Sequence, residues 1–194
     1  MANVRTPIGI LSFPVLFTPR PRAQGGDPCF AINLLFDKVT QSTPEYAAMK
    51  KAVADCIDEK WGAGKAKDHE FVKTLRLPFR RTQEKSYKGY DIDGGIYIAP
   101  WSNNRPGVVD AQRREITVPG DVWPGQLARA TVNPFAYHNS GNKGVSFGLN
   151  NVQICRTDGE RLDGRRAATD DFPDDLVDAD GQLVGALVDD EPPF

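Results

Sequence analysis

Histidine, cysteine and methionine are all scarce in this 194-residue chain, at two, three and two residues. His69 and His138 are separated by the whole middle of the sequence, and no Ser or Cys elbow sits in a matching context, so no nucleophilic triad is legible. Cys29, Cys56 and Cys155 are odd in number and far apart, which excludes a disulfide framework and a zinc site and makes a reducing, intracellular setting the default. No long apolar run exists either. The longest, Phe30 to Phe36, is interrupted by Asn33 and falls far short of the ~20 residues a membrane span needs. The opening Met1-Ala2-Asn3-Val4-Arg5 carries no basic-then-apolar leader, so neither export nor membrane association is expected. Lys and Arg are missing altogether from the last 28 residues.

That last absence polarises the molecule. Residues 1–166 carry a net +7 and residues 167–194 a net −9, which the overall −2 conceals. A basic body with an acidic end points towards nucleic acid or an acidic-tail function.

What is present reads mostly as strands. Ile8 to Phe17 alternates, with Leu11, Phe13, Val15 and Phe17 on one face and Pro14 marking an edge or a bulge. A Pro- and Gly-rich turn leads to a second strand, Cys29 to Phe36. Thr43-Pro44-Glu45 opens a helix: a hydroxyl to accept a free N–H, a proline with none to waste, and an acid at the positive end. Tyr46, Met49, Val53, Ile57 and Trp61 form its apolar stripe, and Gly62 and Gly64 stop it. Beyond residue 65 the pattern is strands and turns: Gly95 to Trp101, short pieces near Val108 and Ile116, and a long strand from Gly125 to Tyr137. The return strand runs from Val145 to Ile154, with a bulge expected near Leu149-Asn150-Asn151 where the apolar phase shifts. The expected architecture is mainly β: an antiparallel Greek-key barrel of the oligonucleotide-binding type (OB fold), with one inserted helix over about 43–61. Residues 1–156 would form this domain, 157–166 a polar linker, and 167–194 a disordered acidic tail.

A single-strand binder needs flat side chains on which bases stack and cations that track phosphates. Three segments supply both on faces poor in aliphatic residues. Arg80, Arg81 and Lys85 stand with Tyr87 and Tyr90; Tyr97 and Trp101 precede Arg105; Arg129, Phe135 and Tyr137 share one face of the long strand, with Lys143 just past the turn. These twelve residues are the candidate DNA contacts, whereas Phe13, Phe17, Phe147 and Leu149 read as core. The rival reading of each aromatic is that it fills the barrel. Gly62-Ala63-Gly64-Lys65 fails as a phosphate loop, because Glu59 stands where the first Gly belongs and Ala66 follows the Lys. Asp91, Asp93 and Asp110 could hold Mg²⁺ for a nuclease, but loop acids beside Gly94-Gly95 are more often turn residues. No cofactor or metal is expected, and the chain is not read as an enzyme.

The C-terminus, Asp189-Asp190-Glu191-Pro192-Pro193-Phe194, sets three carboxylates before a stiff proline pair and a terminal ring. Acids steer towards a basic rim, prolines reduce the entropy lost on docking, and the ring fills a pocket. Asp189, Asp190, Glu191, Pro193 and Phe194 are therefore the candidate partner-binding residues.

The stretches Lys60-Trp61-Gly62, Pro106-Gly107-Val108-Val109-Asp110, Gly125 to Tyr137 and, most specifically, Gly141-Asn142-Lys143-Gly144-Val145-Ser146-Phe147-Gly148-Leu149-Asn150-Asn151-Val152-Gln153 resemble a family of bacteriophage single-stranded DNA-binding proteins. The opening is similar too, with a Gly-rich turn at Gly25-Gly26 and a strand ending at Phe36-Asp37-Lys38, so that most of residues 7–172 are covered. The resemblance implies an OB fold that coats single strands in phage DNA replication or recombination, in the host bacterial cytoplasm. The tail resembles the acidic tip of bacterial single-stranded DNA-binding proteins, matching at Pro193-Phe194 but with Pro192 where an aliphatic residue is usual. Such a tip would recruit replication and recombination proteins. A homodimer is left open, as are two rivals: a strand-annealing mediator that also holds duplex, and the metal-dependent nuclease.

Overall fold

The computed structural model describes residues 3–21, 25–139 and 141–164. Nine strands and two α-helices follow in the order β1 (Val4–Arg5), β2 (Gly9–Arg20), β3 (Cys29–Phe36), α1 (Pro44–Trp61), α2 (His69–Lys73), β4 (Arg80–Arg81), β5 (Ile96–Ile98), β6 (Trp101–Ser102), β7 (Gly107–Val109), β8 (Leu127–Asn139) and β9 (Asn142–Arg156). The acidic tip, from Asp189 to Phe194, lies outside the described residues.

The pairings close on themselves. β2 pairs with β3, β3 with β5 and β6, β6 with β9, β9 with β8, and β8 with β2. This ring is the expected barrel, with one difference. The β6–β9 seam, where Trp101 meets Gly148, is parallel, and β7 also runs parallel to β9, so the sheet is mixed rather than wholly antiparallel. A parallel seam follows from chain direction, since an odd number of strands cannot all alternate around a closed ring.

The long elements form for local reasons. α1 begins at Thr43, whose hydroxyl accepts from the Tyr46 N–H at 3.4 Å, and ends at Gly62, whose φ of 111° suits glycine. Its stripe of Tyr46, Met49, Val53 and Ile57 is buried in the barrel core beside Leu11, Leu34, Ile98, Val132 and Phe147. The short helix α2 is one the periodicity did not separate from turns, and Asp68 caps it by accepting from the Phe71 N–H. β8 and β9 pair from Leu127↔Arg156 to Asn139↔Asn142. Between Thr131↔Asn151 and Val132↔Leu149, Asn150 is the extra residue, so the expected bulge is present and keeps Leu149 and Val152 both inside. No strand forms at Ile116 to Val118; Glu115 makes only an isolated bridge to Val109.

β2 departs from expectation. It is a central strand, and its register slips between Ser12↔Asn33 and Val15↔Ala31. The slip turns the inward positions from the odd set to Leu11 and Leu16. Phe13 is therefore not core: it is 45% exposed. Phe17 is only partly buried.

Residues 157–163 lie against the barrel. The Leu162 N–H donates to the Pro124 carbonyl, and Lys88 pairs with Glu160 at 2.8 Å.

Candidate nucleic-acid interface

The barrel wall has two faces, and the pairings say which residues share them. Leu34 and Ile98 are paired and lie in the main core, whereas the next pair, Leu35 and Tyr97, lies in a second cluster on the outer face. Tyr97 thus points outward as its alternation requires. Yet Tyr97 is 2% exposed, because Tyr90 lies over it at 5.5 Å between ring centroids. Tyr90 is itself 1% exposed, and its hydroxyl accepts from the Asn33 side-chain amide at 2.6 Å. Burial pushes its phenol above the ordinary tyrosine range, against the pull of the Ser12 and Asn33 hydrogen bonds. Tyr90 and Tyr97 therefore meet edge to face and are both buried, so neither ring offers an open face in this structure. The cover is the segment between β4 and β5, anchored where the buried Thr82 hydroxyl donates to the Ile92 and Gly95 carbonyls, both at 3.2 Å.

Four residues beyond Tyr97 the same face is open. A groove of about 940 Å³ runs between the 76–80 segment, β6 and the β8–β9 hairpin. Arg80, Trp101, Phe135 and Tyr137, four of the twelve expected residues, line it together. Trp101 and Phe135 meet edge to face at 5.6 Å and 86°, both half-buried on the groove wall. Arg76 and Arg80 are its two cations, and no carboxylate lines it. Leu77, Pro78, Ala99, Val145 and Phe147 complete the apolar part, and Ser146, Asn139 and Asn142 offer polar groups.

One close approach builds this groove. Arg76 bridges to Gly144, its N–H donating to the Lys143 carbonyl and its own carbonyl accepting from Val145. A Cβ at Gly144 would press on the Arg76 carbonyl and come within 2.8 Å of the Tyr137 hydroxyl. Glycine there lets the 76–80 segment and the Tyr137 ring close on the same strand.

The remaining expected residues lie elsewhere. Lys143 is one position out of phase with Gly144, Tyr137's partner, and sits over the Phe71 ring at 4.8 Å. Arg129 shares Tyr137's face but lies towards the other end of β8, where its Nε donates to Gln153 at 2.9 Å. Arg105 stacks over Phe17 at 5.4 Å. Arg81 is exposed beside Arg80 on β4, and Lys85 and Tyr87 lie 6.0 Å apart on the covering segment. Sequence reasoning left Ser146, Asn139 and Asn142 out of the site; Ser146 was readable, since it alternates with the buried Val145 and Phe147. The three aspartates do not converge. Asp93 is paired with Lys38 at 2.5 Å and Asp110 with Arg114 at 2.6 Å, and among the described residues no three His, Cys, Asp or Glu side chains form a metal-binding group.

An outward groove of aromatic rings and arginines on a closed five-stranded ring is the arrangement of a single-strand-binding barrel. Solved structures share this fold. The single-stranded DNA-binding protein from bacteriophage Enc34, in complex with ssDNA, superposes with a TM-score of 0.63 at 20% identity, over 81% of this chain and 88% of that one. A further structure of the Enc34 protein gives 0.61 at 21% identity, over 86% and 87%. The single-stranded DNA-binding protein gp2.5 of bacteriophage T7 gives 0.58 at 14% identity, over 86% and 98%. No curated protein matches the chain. Residues 3–183 match the family of the Enterobacter phage Enc34 ssDNA-binding protein, and the chain belongs to that family.

Proposed function

We propose that this protein coats single-stranded DNA, with little regard to sequence, during phage DNA replication or recombination in the host cytoplasm, and that it does so without catalysing a reaction. The observation that carries this reading is the groove: Trp101, Phe135 and Tyr137 beside Arg76 and Arg80, with no lining carboxylate. Every base has a face to stack, so ring platforms bind without reading sequence, while the arginines meet phosphates. The Enc34 relative solved with ssDNA supports the assignment. The scattered and ion-paired aspartates favour binding over nuclease chemistry.

The test is quenching of intrinsic tryptophan fluorescence by a ~30-nucleotide oligo-dT at two salt concentrations, with duplex as control. Saturable quenching that weakens with salt and is much smaller with duplex is the expected result. Equal response to duplex would favour the annealing mediator, and cleavage of the strand in Mg²⁺ would favour the nuclease.

The acidic C-terminus has two proposed roles: recruiting replication or recombination proteins through Phe194, and competing with DNA for the basic body, at −9 against +7. Removing residues 167–194 is expected to tighten DNA binding, most visibly at low salt. Equal affinity of the truncated and full-length chains across a salt series would remove the competition role.

A further inference from the structure

We propose that Phe13 and Tyr87 form a second base-stacking platform, which takes nucleotides of the same strand after they leave the groove at Trp101; this rests on the single-strand reading above. The starting point is strain. Between the Ser12↔Asn33 and Val15↔Ala31 pairs, β2 carries one residue more than β3, and within this bulge Phe13 has a φ of +46°. A left-handed backbone at a bulky residue costs of order 1–3 kcal/mol and persists only where the surroundings enforce it. Burial does not offset that cost fully, because the ring remains 45% exposed. What the bulge accomplishes is direction: it takes a ring out of the strand's inward phase and sets it on the outer wall.

There it meets Tyr87. The two rings pack edge to face at 4.9 Å and 72°, and Tyr87 is 52% exposed. Lys85 lies 6.0 Å from the Tyr87 ring. Beneath both is the buried Tyr90, 6.4 Å from Phe13 and 5.9 Å from Tyr87, itself fixed by Asn33. The platform is therefore a pair of half-open rings on a rigid base with a cation at its side. That is the chemistry of a nucleotide site: faces for a base and a charge for its phosphate.

Its position completes the argument. Ala31 pairs with Val15 on one side and with Trp101 on the other, so the bulge lies two strands from Trp101, ~10 Å across the sheet. Both lie on the outer wall, and the residue paired between Val15 and Trp101 is the small Ala31. Ala31 is half-buried, and Ala99 is exposed and lines the groove. A strand leaving Trp101 would cross this low floor to reach Phe13.

The experiment compares ~4- and ~16-nucleotide oligo-dT, lengths that bracket the site sizes of such barrels. Tyr87→Ala should leave the short strand's affinity unchanged and weaken the long strand about tenfold, with Tyr87→Phe restoring it. Trp101→Ala should weaken both. Independently, 5-iododeoxyuridine at the end of the long strand should photo-cross-link to Phe13 or Tyr87 in the wild-type protein. An unchanged long-strand affinity for Tyr87→Ala, with Trp101→Ala impaired, would overturn the platform and leave the groove standing. Equal losses on both lengths would also overturn it, by showing that Tyr87 acts on the fold. Failure of the wild-type protein to bind either strand would instead remove the reading on which the platform rests.

Discussion

Tyr97 and Trp101 stand on the same outer face of consecutive strand segments, and both are followed in space by a second aromatic ring. For Tyr97 that ring is Tyr90, which seals it; for Trp101 it is Phe135, which leaves it open to a groove. The difference lies entirely in what crosses above. The segment from Thr82 to Gly95 folds back over Leu35 and Tyr97 and ends its cover before Ala99. Alternation along a strand decides which side a residue takes, but only the path of a distant loop decides whether that side is wet. One aromatic pair is consequently sealed into the fold, and the other borders the groove to which the proposed function assigns DNA.

Mutations should separate the two pairs. The largest effect is expected for Tyr90→Ala, which removes a fully buried ring and leaves the Asn33 amide without its acceptor. A loss of about 3–5 kcal/mol in denaturant unfolding is expected, with the folded fraction keeping its affinity for the short oligo-dT taken by the Trp101 groove but losing affinity for the long one, whose platform rests on Tyr90. A stability change within about 0.5 kcal/mol would show that the cover is not part of the fold. Trp101→Ala should do the reverse: about 1–3 kcal/mol of lost affinity for oligo-dT with a smaller change in stability. Affinity equal to wild type would remove the groove from the binding site. Arg80→Ala is a finer probe. It should reduce the slope of log affinity against log salt by ~0.7 and weaken binding to all sequences alike. The smallest effect concerns pH. Because burial raises the Tyr90 phenol, its contribution to stability is complete below pH ~10, where the unfolded phenol is still protonated, and falls as pH rises beyond that. Tyr90→Phe should flatten this alkaline loss in unfolding curves taken across that range.

Much of the fold was legible because its long elements carry their own periodicity. The stripe of α1 repeats at helical spacing over Tyr46 to Trp61, and the phase change at Asn150 marks a bulge that the register contains. The groove's rings Trp101, Phe135 and Tyr137 were legible for a related reason: on β8 the small residues Ala128, Ala130 and Val132 take the inside and leave the aromatics outside. Other features had no local signal. β4 and β6 are two residues each, too short to show a period, and the parallel seam of β6 with β9 joins positions 47 residues apart. Phe13 misled because the bulge at Pro14 inverts the phase of β2 midway, so an alternating run reads as core on the wrong side. Nearness in sequence puts Lys143 with Tyr137 among the candidate contacts, but a single step along β9 turns it to the face opposite Gly144, Tyr137's partner.

The closing seams also bear on how the chain acquires its shape. β2 is paired on one side with β3, its neighbour in sequence, but on the other with β8, more than a hundred residues later; β1 likewise waits for Val132. During synthesis the first hairpin and α1 emerge well before the strands that enclose their apolar faces exist. Their exposed edge and the stripe of α1 must remain unpaired until residues 127–156 arrive. Folding dominated by such distant pairings is slow, in the millisecond-to-second range. The β8–β9 hairpin, made of contacts near in sequence, is the piece able to form first and offer a template to the waiting N-terminal half. Among the described strands, the last to be translated thus set the moment at which the barrel can close.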